Sequence, residues 1–130
     1  MAVVDTEKIT INMSVVDLGK VDLMVEEGFY SNRTDFIRTA IRNQLGRHDD
    51  EVRQSASRRA MVVGVMVYDR KGLEKLRAKG RRVRISVVGM LVLANDIPPE
   101  LARETIESIK VAGVFRAAPA VKDALADRTN

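Results

Sequence analysis

The side chains best suited to catalysis or metal binding are few in this sequence, and their spacing forms no known catalytic constellation. His48 is the single histidine among 130 residues and there is no cysteine, which leaves no material for a histidine dyad beside a metal site or for thiolate ligands. Ser86 has no histidine near it in the sequence to act as a base. Glu100, Glu104 and Glu107 have the spacing of one solvated helix face. We therefore expect no enzyme, no metal and no cofactor.

The positive charge of the chain is concentrated in its middle. The 22 Lys and Arg residues and 18 Asp and Glu residues give a net charge of +4. Residues 1–50 carry 6 basic and 9 acidic side chains, residues 51–82 carry 10 and 3, and residues 83–130 carry 6 and 6. Such a segment is either a solvated surface or a patch that meets phosphates or an acidic partner. Arg81 and Arg82 are its candidates for auxiliary phosphate contacts.

The first fifty residues are predicted to form one strand and two amphipathic helices, and these elements must position any functional side chains of this segment. Residues 8–13, with the sequence KITINM, alternate polar and apolar side chains, which is typical of a strand with one exposed face. A lone strand of this length is unstable, because its edges are unpaired and only one face is apolar. No partner strand follows nearby in the sequence, so the simplest solution is pairing with the same strand of a second chain.

The helices are predicted from caps and apolar spacing. Ser14 and Asp17 form a start of the capping-box kind, and Gly28 ends the first helix because glycine readily adopts a left-handed cap. Ser31 is predicted to cap the second helix, with Asp35 in its first turn and its end between residues 46 and 49. The apolar stripes are Leu18, Val21, Met24 and Val25 in the first helix and Phe36, Ile37, Ala40, Ile41 and Leu45 in the second.

Strand, helix, short turn and helix within about 40 residues resemble the ribbon-helix-helix family of CopG-, Arc- and MetJ-like DNA-binding regulators. The resemblance covers residues 7–47. It is carried by the alternating run at residues 8–13 and by the run EEGFYSNRTDFIRTAI at residues 26–41, which is close to the usual helix-to-helix turn of the family.

The resemblance implies a homodimer in which two chains swap strands into an antiparallel ribbon that enters the DNA major groove. It implies that Lys8, Thr10 and Asn12 read base edges, since Lys donates to guanine, Asn can pair with adenine, and Thr offers a hydroxyl and a methyl group. It also places Ser31, Asn32 and Arg33 against a DNA phosphate. The dimer core would comprise Ile9, Ile11, Met13, Leu18, Val21, Phe36, Ile37, Ala40 and Ile41. Because this half is acidic overall, we expect either that the basic middle segment supplies the missing positive charge or that several dimers bind side by side.

The C-terminal part repeats a strand-then-helix pattern. Residues 49–59 are polar and form either a linker or an extension of the second helix. Beyond them, apolar runs at residues 62–67, 87–92 and 111–115 each contain a glycine and precede a helical stretch. These glycines, Gly64, Gly89 and Gly113, lie 25 and 24 residues apart. We predict three stacked strand-helix repeats, with the middle helix at residues 100–109 and Leu101, Ile106 and Ile109 as its apolar stripe.

Two other arrangements fit the same runs. In a βαββαβ domain, residues 83–88 and 90–94 form a hairpin around Gly89, which resembles the regulatory domain of the nickel-responsive ribbon-helix-helix repressor. Residues 60–130 contain no His or Cys, so nickel sensing is not expected. In the other arrangement, the three glycines are bulges in a conventional sheet. The predicted fold class is thus α+β, with a ribbon-helix-helix domain at residues 1–48 and a small α/β domain at residues 60–130.

The predicted function is a sequence-specific DNA-binding transcriptional regulator, a homodimer or a higher oligomer assembled through residues 60–130. Its expected partners are double-stranded DNA and a second copy of itself, with a protein partner as a further option for the C-terminal domain. An antitoxin and a DNA-organising or partition-type protein are the alternatives. No apolar run nears the roughly 18 residues of a membrane span, so we expect no membrane partner and a place in a bacterial or archaeal cytoplasm, at the nucleoid.

Overall fold

A computed structural model describes residues 5–130, which form two compact units. The N-terminal unit is residues 8–55, and the C-terminal unit is residues 56–130 together with residues 5–7. Helices α1 (Val15–Glu26) and α2 (Arg33–Arg47) lie in the N-terminal unit, and the boundary at residue 55 falls within α3 (Asp49–Arg58). Helix α3 therefore occupies the segment for which the sequence allowed a linker or a helical extension.

The ends of α1 follow the predicted caps, whereas the start of α2 does not. The Ser14 hydroxyl accepts a hydrogen bond from the Asp17 N–H at 3.5 Å, and Gly28 after α1 has a φ of 84°. The cap of α2 is Asn32, whose side-chain oxygen accepts from the Asp35 N–H at 2.8 Å, so the prediction of Ser31 as the cap is wrong. Both residue types cap helices well, and only the position of the first helical turn decides between them.

Residues 8–13, predicted as a strand, form neither helix nor ladder within the single chain. Ile9 is 70% exposed, and Ile11 and Met13 are exposed as well. A strand is stabilised by the hydrogen bonds of a neighbour, and the N-terminal unit contains no other extended run that could provide them. The apolar side chains of this segment thus remain uncovered in one chain.

The C-terminal unit is a three-stranded parallel sheet with a helix after each strand. Its elements are β1 (Val62–Tyr68), α4 (Arg70–Ala78), β2 (Val83–Leu93), α5 (Pro99–Thr105), β3 (Ile106–Arg116), α6 (Pro119–Ala124) and a short 3-10 helix (Ala126–Arg128). The strand order is β1-β2-β3. The register aligns Gly64 with Gly89 and Gly89 with Gly113, so the three predicted repeats are confirmed as structural repeats.

One face of the sheet packs against α4, α5 and α6 and contains the hydrophobic core. Leu73 of α4, Leu101 of α5 and Val121 of α6 are fully buried there. Strand residues reach the core at every second position, as the pleat requires. The buried strand side chains are Ile85, Val87, Leu91 and Leu93 of β2 and Ile106 and Ile109 of β3.

The hairpin alternative is wrong, because β2 runs without interruption through Gly89. The bulge alternative is also wrong for the glycines: each pairs with a glycine of the neighbouring strand, and the single register shift between β2 and β3 lies at Val83 and Arg84. That shift skips Glu107, since Val83 pairs with Ile106 and Arg84 with Ser108.

The predicted helix over residues 100–109 is too long, because α5 ends at Thr105 and β3 starts at Ile106. The extra residue at Glu107 places Ile106 and Ile109 on the same face of β3 although they are three positions apart. The bulge therefore gives two core-facing strand residues the three-residue spacing that is typical of a helix. Ile106 and Ile109 belong to β3 and not to a helix.

Candidate nucleic-acid interface

The polar side chains predicted to read bases are all available to solvent. Lys8, Thr10 and Asn12 lie in the extended segment before α1 and are exposed. Within the described residues none of the three has a hydrogen bond or an ion pair. Their alternation with Ile9, Ile11 and Met13 therefore leaves two sets of side chains without partners in one chain, one polar and one apolar.

The start of α2 is held by a reciprocal pair of hydrogen bonds. The Asp35 N–H donates to the Asn32 side chain at 2.8 Å, and the Ser31 N–H donates to the Asp35 carboxylate at 3.0 Å. The N–H groups of Arg33 and Thr34 occupy the first two helical positions, where no carbonyl of the helix can accept from them. The free N–H groups and the positive end of the helix dipole favour an anion at this point.

The side chain of Arg33 joins α2 to α1. Its Nε and Nη2 donate to the two carboxylate oxygens of Asp22 at 2.7 and 2.8 Å. These hydrogen bonds and the guanidinium charge lower the pKa of the Asp22 carboxyl below its ordinary value and raise that of Arg33. The side chain of Arg33 is thus engaged within the unit, whereas its backbone N–H has no acceptor within the helix. Sequence reasoning missed this pair, because residues 11 apart share no local pattern.

The residues predicted as a dimer core are mostly uncovered in one chain. Val21 is the only one of them that is buried, and Leu18, Phe36 and Ile37 are half-buried. Tyr30, which the sequence pattern did not single out, packs edge-on against Phe36 with ring centroids 4.8 Å apart. Exposed members of the predicted core are Ile9, Ile11, Met13, Ala40 and Ile41.

The basic segment is partly neutralised within the C-terminal unit. Arg70 pairs with Glu74 at 2.8 Å, and Arg84, just beyond the segment, pairs with Glu107 at 2.9 Å. Arg81 and Arg82 are exposed in the loop between α4 and β2, and the Arg82 guanidinium donates only to a backbone carbonyl, that of Arg103 at 3.4 Å. Neither side chain forms an ion pair with a carboxylate of residues 5–130, and the charge of Arg82 adds only a minor share to the lowered pKa of Glu107.

Metal ligands and membrane-spanning helices are two further features that could indicate another kind of site. Across residues 5–130, no group of three or more His, Cys, Asp or Glu side chains is placed to hold a metal ion. No helix of the same residues is long and apolar enough to cross a membrane.

Comparison with known proteins extends the resemblance beyond the first 47 residues. A family model described as the ribbon-helix-helix transcriptional regulator family matches residues 4–122. No curated protein and no solved structure matches the chain. The family match spans most of both units, so it includes the strand-helix repeats of the C-terminal unit as well as α1 and α2.

Proposed function

The chain belongs to the ribbon-helix-helix transcriptional regulator family, and we propose that it binds a specific DNA sequence as a homodimer. Members of this family are DNA-binding regulators, usually dimeric and typically not enzymes. The observation that supports the homodimer is the apolar surface of the N-terminal unit. Ile9 and Ile11, with Ile41 of α2, are exposed in one chain, and a second chain would cover them if residues 8–13 paired as an antiparallel ribbon.

The exposed face of that ribbon supplies the proposed base contacts. Lys8 donates to guanine, Asn12 forms a bidentate pair with adenine, and Thr10 offers a hydroxyl and a methyl group. Their exposure and lack of partners support this role. Each good contact of this kind discriminates against the wrong base by about 1–3 kcal/mol.

The start of α2 supplies the proposed phosphate contact. The N–H groups of Asn32 and Arg33, with the Ser31 hydroxyl, would hold a phosphate that the helix dipole also attracts. The capping role of Asn32 and the ion pair of Arg33 fix the backbone there without using those N–H groups. This contact would set the position of the ribbon in the groove rather than its sequence preference.

Arg81 and Arg82 are proposed as auxiliary phosphate contacts of the C-terminal unit. The N-terminal half of the sequence carries more acidic than basic residues, so phosphate neutralisation needs charge from elsewhere. Replacing both by Ala should lower the slope of log K against log salt by about 0.9 for each lost contact. An unchanged slope would leave these residues without a role in binding.

We further propose that the C-terminal unit contributes self-association. Its folded strands and helices favour a regulator over an antitoxin, because the antitoxin alternative expects a C-terminal segment that becomes ordered only on its toxin.

Selection from random duplexes, followed by sequencing of the bound DNA, tests the main proposal. The full chain should enrich one motif with two-fold symmetry, and the variant K8A/T10A/N12A should bind without enriching it. The control K110A removes an equal charge from an exposed residue of β3 and should keep the preference. If K8A/T10A/N12A keeps the sequence preference as K110A does, the assignment of residues 8–12 as the base-reading face is wrong.

A further inference from the structure

Strand β1 forms one edge of the sheet and has the composition of an interior strand. Its sequence, VVGVMVY, contains no charged residue. Val63 is 63% exposed, and Val62, Val65 and Val67 are exposed too. Edge strands are usually protected by charges, prolines or bulges, because their free N–H and C=O groups recruit other strands. Strand β1 has none of these protections.

The opposite edge of the sheet, formed by β3, is partly covered by the chain itself. The C-terminal residues turn back onto it: Thr129 forms a parallel bridge with Ile109, and the Asn130 N–H donates to the Ile109 carbonyl at 2.8 Å. A short segment of the same chain therefore occupies part of the β3 edge. Within residues 5–130, nothing pairs with the outer edge of β1.

Three aligned glycines, one in each strand, bring the neighbouring backbones close together and reach the β1 edge at Gly64. Gly64, Gly89 and Gly113 have φ values of 147°, 136° and 130°. A Cβ added to Gly89 would overlap the carbonyl of Gly64, and a Cβ added to Gly113 would overlap that of Gly89. At Gly64 the same position is open space. Strand β1 thus has at Gly64 the same backbone conformation as the inner strands, and no atom of residues 5–130 lies against its outer side there.

The apolar face of the sheet that the helices leave uncovered continues to this edge. Residues 5–7 lie beside that face, held by Arg116, whose Nη2 donates to the Thr6 carbonyl at 3.1 Å and to Glu7 at 3.4 Å. Together with Val63, Val65 and Met90 they border a groove. Met90 in the middle of the face is buried, whereas the valines of β1 are not. The uncovered apolar surface is therefore concentrated along β1.

We propose that the β1 edge pairs with the β1 edge of a second copy of the chain, in antiparallel orientation about a two-fold axis. Two identical edges meet in this way, and the contact closes on itself because each copy offers β1 once and covers part of its β3 edge. The pair would form one six-stranded sheet, satisfy the free N–H and C=O groups of both β1 edges, and place the valines of the two copies side by side.

The proposal rests on the homodimer proposed above and not on its DNA contacts. A ribbon at residues 8–13 would tether two copies and raise the effective concentration of the second β1 edge. A strand from an unrelated protein would have no such advantage, which is why a second copy is the occupant we favour.

Single cysteines test the pairing, because the natural chain has none. The variants V63C, V65C and V67C place a thiol along β1, and A112C places one on an exposed residue of β3 as the matched control. Under mild oxidation of the full chain, at least one β1 variant should form covalent pairs several-fold faster than A112C. A yield no higher than that of A112C at all three positions would overturn the proposal.

A second variant separates this proposal from DNA binding. Lysines at those of positions 63 and 67 that do not carry the cysteine (V63K/V67K in V65C, V67K in V63C, V63K in V67C) should suppress the cross-linking of the best β1 variant at least several-fold. Undiminished cross-linking would place the contact elsewhere and count against the edge. The V63K/V67K protein should still enrich the same DNA motif as the natural chain. If the wild-type protein enriches no motif while the β1 cysteines cross-link, the DNA proposal fails and the edge pairing stands.

Discussion

At the scale of single residues, Gly89 and Gly113 are the most constrained positions of the chain. Each combines a positive φ with a neighbouring glycine carbonyl in the space of a Cβ. Both obstacles are backbone atoms of adjacent strands, which cannot swing aside as a flexible side chain would. The sequence pattern found these glycines by their spacing, but the spacing could not show that they touch, because a repeat of 24 or 25 residues is equally compatible with packing against helices.

We predict that Gly89→Ala destabilises the protein by about 2–5 kcal/mol, the sum of the strain of a positive φ and of overpacking. The matched control is Gly80→Ala. Gly80 has a φ of 63° with nothing near its added Cβ, so it should lose only the strain, about 1–2 kcal/mol. Urea denaturation followed by circular dichroism measures both. Equal losses at the two positions would show that the glycine column imposes no close packing.

The ion pair of Asp22 and Arg33 gives a prediction about pH. Arg33 lowers the pKa of the Asp22 carboxyl by hydrogen bonding and by charge. Because the folded pKa lies below the ordinary one, the pair stabilises the fold above the ordinary pKa of a carboxyl. That stabilisation is lost as the pH falls through the lowered value. Arg33→Gln should therefore raise the pKa of Asp22, as measured by an NMR titration of its side chain.

The control for this titration lies in the other unit. Arg84 lowers the pKa of Glu107 by the same two causes, and Arg33→Gln should leave the titration of Glu107 unchanged. An Asp22 carboxyl that titrates at its ordinary value in the natural protein would contradict the pairing of α1 with α2 through these side chains.

At the scale of elements, the sequence predicted existence and order better than boundaries. The three strands, their helices and the two helices of the N-terminal unit appear in the predicted order. The end of α5 was misplaced because Ile106 and Ile109 lie three apart, and a bulge at Glu107 gives a strand this spacing. No local signal distinguishes the two, since the bulge exists only in relation to β2.

Leu101 is the residue of the predicted middle stripe that does lie on a helix, and it is fully buried under the sheet. We predict that Leu101→Ala costs about 2–5 kcal/mol through lost burial and a residual cavity. Leu23→Ala removes the same atoms from a half-exposed position in α1 and should cost less than about 1 kcal/mol, since most surface substitutions do little. Thermal unfolding of the two variants at one concentration makes the comparison. If the two variants lost similar amounts of stability, the packing of Leu101 between α5 and the sheet would not be a main contribution to the core.

At the scale of the whole molecule, the two units bury their apolar side chains to different degrees. The C-terminal unit has a continuous core formed by one chain. In the N-terminal unit, residues 8–55, Val21 is the only buried hydrophobic residue, and α2 contains no buried residue. The spacing of apolar residues could not reveal this difference, because a helix has the same apolar stripe whether its own chain or a second chain covers it. A helix pair with so little of its own core is marginal in water, so we expect the proposed homodimer to supply its stability.

The last prediction follows from that difference and uses the two tyrosines of the chain, one in each unit. Tyr30 packs against Phe36 in the N-terminal unit, and Tyr68 lies half-buried in the C-terminal unit. The variants Y68F and Y30F each leave one fluorescent reporter. In Y68F, a tenfold rise in protein concentration should stabilise the N-terminal unit by about 1.4 kcal/mol, because unfolding releases two chains. In Y30F, adding V63K/V67K should lower the stability of the C-terminal unit at one protein concentration, because the ribbon tethers the two β1 edges and their pairing then adds to stability without depending on concentration. A midpoint of Tyr30 fluorescence that ignores concentration would mean that α1 and α2 fold without a second chain, and the apolar side chains along residues 8–13 would then have no partner to explain them.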